Sequence, residues 1–132
     1  MRKGMIAAGL AALVAGQAFA AEVPVETATL DTAEITLHLH DFLQKDELAT
    51  LRLVMSNADA LALFVPKAGG YAALAVSPDD GFIRDGKPVE SAVALAELPD
   101  AETAAANALK ACDDLRKGSA PCVVVLSVAP KG

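Results

Sequence analysis

Residues 122–128, Cys-Val-Val-Val-Leu-Ser-Val, are an almost unbroken run of β-branched and aliphatic side chains. A strand with no alternating polar face suits burial on both faces, so this segment is expected to sit inside a sheet. Residues 34–40 read differently. Ile35, Leu37 and Leu39 alternate with Glu34, Thr36, His38 and His40, the clearest period-two pattern in the chain, which predicts a strand with one wet face. Residues 23–30 carry Val23, Val25, Thr27 and Thr29 at alternate positions, with Pro24 near the start. Asp31-Thr32-Ala33 reads as the connection of a hairpin.

Helical spacing takes over next. Asp41 with Gln44 three residues later is a capping-box arrangement, and Leu48, Leu51, Met55 and Ala58 then recur on one stripe. Ser56-Asn57 marks a break. Residues 60–65 fit a strand or a continued helix, and the alternation of Leu61, Leu63 and Val65 favours the strand. Lys67-Ala68-Gly69-Gly70 is a hinge-like connection. Residues 71–77 read as a strand ended by Pro78-Asp79-Asp80-Gly81, residues 79–90 as a solvated loop, and residues 91–98 as a further strand. Asp100 opens a helix as N-cap, and the helix runs to about Leu115 with Gly118 as stop. The expected class is α+β: a small, largely antiparallel sheet with two helices on one side. The chain reads as two strand-strand-helix-strand halves, 21–67 and 71–132, each closing on a Pro-Lys pair. Duplication and chance both account for that likeness.

The first 20 residues form an address. Arg2 and Lys3 precede an apolar run, and Ala18-Phe19-Ala20 places small residues at the recognition positions of a secretory leader, so cleavage is expected between Ala20 and Ala21. Removal leaves 112 residues as a single domain, 21–132, and shifts the formal charge from −6 to −8. That acidity argues against nucleic acid and against an anionic membrane surface. No membrane insertion is expected after cleavage, and a periplasmic or secreted location follows. The length leaves no room for a large cofactor fold, and no cofactor is expected.

In an oxidising compartment the only two cysteines, Cys112 and Cys122, are expected to form a disulfide. No catalytic residue stands out. His38 and His40 project from one strand face, where Glu34 or Asp41 would be a third metal ligand; the competing reading is a solvated face. Ser91 and Ser127 lack a nucleophile-elbow context, and a histidine would have to come from the first half. The acidic pairs Asp79-Asp80 and Asp113-Asp114 read as ordinary solvated positions. In the loop 79–90, Arg84, with Asp85 beside it, is the candidate for clamping an anionic ligand.

The strand Tyr71-Ala72-Ala73-Leu74-Ala75-Val76-Ser77-Pro78, the Ala-rich helix from Ala101 to Cys112, and Cys122-Val123-Val124-Val125 together resemble a family of small secreted bacterial domains of unknown function. The resemblance covers residues 71–128. This chain lacks the family's aromatic residues in the second strand and a further downstream cysteine, and residues 37–65 have no counterpart there. The layout is also similar to short exported α-proteobacterial proteins, some of which carry the label 5-aminolevulinate synthase. A pyridoxal enzyme needs a large domain, a Schiff-base lysine and a phosphate cup, which 112 residues do not hold. The resemblance therefore implies a fold and a compartment. The expected function is a non-catalytic exported binding or accessory domain that meets an envelope protein or a small ligand through its sheet or the loop 79–90. The alternative is a small metal-dependent or hydrolytic enzyme centred on His38 and His40.

Overall fold

A computed structural model describes residues 23–30, 32–65 and 70–130. The leader, its cleavage point, the connection 66–69 and the Lys of the terminal Pro-Lys pair lie outside the described residues. Strands β1 (Val25–Leu30) and β2 (Ala33–His38) form the expected hairpin, in register from Val25↔His38 to Leu30↔Ala33. Helices α1 (Lys45–Ser56) and α2 (Ala58–Phe64) follow, then β3 (Tyr71–Val76), the short strands β4 (Ile83–Arg84) and β5 (Lys87–Pro88), β6 (Val93–Leu98), helix α3 (Ala101–Leu115) and β7 (Val123–Pro130).

Five strands make one sheet in the order β1-β2-β7-β3-β6, every neighbouring pair antiparallel. The apolar run read as a doubly buried strand is β7, at the centre. β2 and β3 are parallel to each other with β7 between them, and β6 and β7 are parallel with β3 between them. The segment α1–α2 makes the first crossover and α3 the second.

The α+β class and the antiparallel sheet are as expected, but the helices are not on one side. β3 is buried at all five positions from Ala72 to Val76, so both of its faces need cover. Ala72, Leu74 and Val76 pack with Ile35, Leu37, Leu51 and Met55 beneath α1. Ala73 and Ala75 pack on the opposite face against Ala104, Ala108 and Cys112 of α3. Alanine facing alanine lets α3 lie close to the sheet but buries little area. The α1 face carries the larger side chains, and full burial of one such as Leu51 contributes about 2 kcal/mol.

Two further expectations are corrected. Residues 60–65 are not a strand: Ala58–Phe64 is helical, and the Asn57 side chain caps it by accepting the Ala60 N–H at 2.9 Å. Capping and alanine propensity outweigh a short alternation. The first half is therefore strand-strand-helix-helix, unlike the second. The N-cap of α1 is Gln44, not Asp41; Gln44 and Glu47 form the capping box one turn later than expected.

The disulfide is present. Cys112 near the end of α3 and Cys122 just before β7 are bonded, their Cα atoms 6.2 Å apart, and both are buried. Asp80 accepts N–H groups from Lys117 (2.8 Å) and Gly118 (3.0 Å), Asp79 that of Ala120 (3.1 Å), and Asp113 that of Cys122 (2.9 Å). Asp79 and Asp113 are exposed as expected, yet with Asp80 they accept backbone N–H groups. They moor the loop that the disulfide closes, and the backbone donors hold Asp80 and Asp113 below the usual carboxylate range. Among the described residues no helix is long and apolar enough to cross a membrane.

Candidate functional site

The loop 79–90 is built around one buried carboxylate. Glu47, in the first turn of α1, has no exposed surface. Its Oε1 accepts the Gln44 N–H at 2.8 Å, and its Oε2 accepts the N–H groups of Phe82 at 2.7 Å and Ile83 at 2.8 Å. The Arg84 guanidinium donates to the same Oε2. Burial alone would raise the Glu47 pKa; the three backbone donors and the Arg84 charge outweigh it and hold the group below its ordinary value.

Arg84 is thus engaged by Glu47 through one guanidinium nitrogen, while its side chain stays a third exposed. Asp85 is a turn residue: Asp85 and Gly86, with φ of 56° and 75°, join β4 to β5 as an Asp-Gly hairpin turn. Gly81 (φ 85°) lies so close to the Arg84 guanidinium that a side chain there would displace it. On its other flank Asp80 accepts from the Ser91 hydroxyl at 2.8 Å. The loop read as solvated is thus a pinned hairpin.

Pinning the hairpin shapes an apolar groove of about 440 Å³ on the α1 face of the sheet. Leu74 and Leu126 form its floor, Val54 and Leu63 its helical wall, and Phe82 and Pro88 its hairpin wall. Leu63 is 89% exposed and Leu53, also at the groove, 52%. No residue of α2 is buried, and the helix packs chiefly against α1. The volume lies within the range of small-molecule sites, roughly 300–1,000 Å³.

The histidines lie on the opposite face. His38 Nε2 is 3.4 Å from Ser127 Oγ, so a histidine of the first half does reach that serine. Burial, then the charge of His40, lowers the His38 pKa, so its ring is neutral at pH 7. His40 donates Nε2–H to the Val124 carbonyl at 3.1 Å, and its ring stacks on Phe42. The two rings are 6.3 Å apart. Glu34 lies two same-face positions before His38, and among the described residues no three His, Cys, Asp or Glu side chains gather as a ligand set. The proposed triplet His38, His40 and Glu34 is not brought together. No carboxylate is hydrogen-bonded to the His38 ring among the described residues, so the Ser127–His38 contact lacks the group that would orient a general base.

Sequence reasoning missed Glu47 and the groove. The Gln44-x-x-Glu47 spacing carried the signal for the first. Leu53 and Val54, apolar yet off the Leu48-Leu51-Met55 stripe, carried it for the second. Compared with family models, with curated proteins and with solved structures, the chain matches none.

Proposed function

We propose that this chain is a non-catalytic exported binding domain that takes an apolar group of a small ligand into the groove between α1–α2 and the β4–β5 hairpin. The observation that carries this reading is the groove itself: an open, almost wholly apolar concavity of about 440 Å³ whose mouth exposes Leu53 and Leu63 to water. Exposed leucines beside a concave apolar floor lose water when an aliphatic chain enters, worth about 0.8 kcal/mol per buried methylene. The loop 79–90 contributes through Phe82, Ile83 and Pro88, with Glu47 as its buried anchor. Export rests on the leader and its Ala-Phe-Ala site, and the disulfide supports it.

Calorimetric titration with dodecanol tests the reading. Saturable binding that Leu63→Asp abolishes is expected; no saturable heat, or unchanged binding to the variant, would sink it. A second reading, a small hydrolytic or metal enzyme, draws on the His38–Ser127 contact. Stoichiometric zinc or copper in protein purified without a histidine tag, lost on His38→Ala, would favour its metal form.

A further inference from the structure

Among the described residues the sheet has two edges, β6 and β1, and they differ in how far each is blunted. On β6 the pairing with β3 slips between Tyr71↔Leu98 and Ala73↔Leu95, Glu97 adopts φ 63°, and α3 packs along the strand. β1 has no such slip and no positive φ, and α1 packs against only one of its faces, where Arg52 pairs with Glu26. Val25–Leu30 is regular throughout, without proline, lysine or bulge, and among the described residues no strand pairs with its outer side. A regular row of unpaired N–H and C=O groups is a template for another strand.

The chemistry beside this edge says which strand fits. Thr27 and Thr29 share their face with Glu34 and Thr36, and the four floor a polar concavity of about 410 Å³. Glu26, on the opposite face, is already taken by Arg52 through contacts of 3.0 and 2.8 Å. Glu34 is exposed and in no ion pair, so among the described residues it is an uncompensated charge beside this edge of a chain of formal charge −6. A strand added outside β1 lies two strand spacings from β2, about 9.5 Å. A lysine on it can cross Thr29, the register partner of Glu34, and reach that carboxylate. On the other face the half-buried Ala28 and Leu30 offer apolar contact.

We propose that β1 accepts an extended basic segment of a partner protein as a sixth strand, one alternating lysine or arginine with aliphatic residues, and that Glu34 selects its charge. A second copy of this acidic chain is the less favoured occupant, because like net charges repel.

Amide shifts of the isotope-labelled protein during titration with a blocked lysine–valine alternating peptide test this. Saturable shifts along Val25–Leu30 are expected, with a glutamate–valine peptide binding about tenfold more weakly or worse. Glu34→Lys should reverse that preference. Methylating the peptide nitrogens on one edge should abolish binding, and methylating the alternate set should leave it intact. Equal binding of both peptides, indifference to methylation, or no saturable shift would overturn the proposal. So would β1 shifts that follow protein concentration without peptide, which would assign the edge to a second copy.

Discussion

Glu47→Gln replaces one carboxylate oxygen with an amide NH₂ in a pocket lined by donors. Whichever way the amide turns, an N–H faces Gln44 on one side or Phe82, Ile83 and Arg84 on the other. Hydrogen bonds to a charged acceptor are worth about 1.5–3 kcal/mol each, and breaking a buried pair from one side costs about 3–5 kcal/mol. The expected loss is therefore about 3–5 kcal/mol, from a total that for a domain of this size is roughly 5–15 kcal/mol. Arg84→Met removes the other partner, whose side chain is a third exposed, and leaves the carboxylate its three backbone donors. Screening by water makes that loss smaller, about 1 kcal/mol. Urea unfolding of both variants, read as midpoint shifts at constant slope, measures the difference. A loss below about 1 kcal/mol for Glu47→Gln, or equal losses for the two variants, would refute the assignment of Glu47 as the anchor of the hairpin.

Reduction of the Cys112–Cys122 bond opens a loop spanning a sequence separation of 10 and should cost roughly 2–3 kcal/mol on the chain-entropy model, seen as a lower Tm in reductant; an unchanged Tm would leave the bond without a stabilising role. Glu47, Asp80 and Asp113 all titrate below their ordinary values in the folded chain. Their contribution is therefore full above the unfolded carboxylate range of about 4 and is lost as pH falls through the lower folded values. Urea midpoints should accordingly begin to fall below about pH 6.5, where His38 with its lowered pKa is protonated more readily in the unfolded chain, and drop further below about 4, and a midpoint that rises in acid would contradict this. Gly81→Ala combines a positive φ with displacement of the Arg84 guanidinium and should cost about 1–3 kcal/mol by thermal melting. Intact mass of periplasmic protein should begin at Ala21, and a mass retaining residues 1–20 would make the leader an anchor.

Much of the fold was legible because it rests on local periodicity. The Glu34–His40 alternation, the Asp100 cap and the apolar run of β7 each point to one element without tertiary context. Placement of the helices was not legible. β3 is so rich in alanine that its two faces look alike in sequence, and only the packing of Ala104 and Ala108 reveals the second layer. Residues 60–65 were misread because three alternating apolar positions fit a strand and a helix equally, and the deciding Asn57 cap lay just outside the window. The cysteine pair was within reach, since the chain has just two cysteines and they admit one intramolecular bond. The groove was harder. Its walls come from residues 53–64 and 82–88, distant in sequence, and Glu47 ties them by holding the backbone of Phe82 and Ile83. The Arg84–Glu47 pair was not legible because its partners are 37 positions apart in sequence.

The most direct test of the proposed binding site is a map of where an aliphatic chain rests on the disulfide-bonded protein. Intermolecular nuclear Overhauser effects between dodecanol methylenes and the side chains of Val54, Leu63 and Phe82 are expected, with none to Thr27, Thr36 or Ser127 on the opposite face. Contacts confined to that opposite face, or none at a saturating concentration, would contradict the reading of the groove as a binding site.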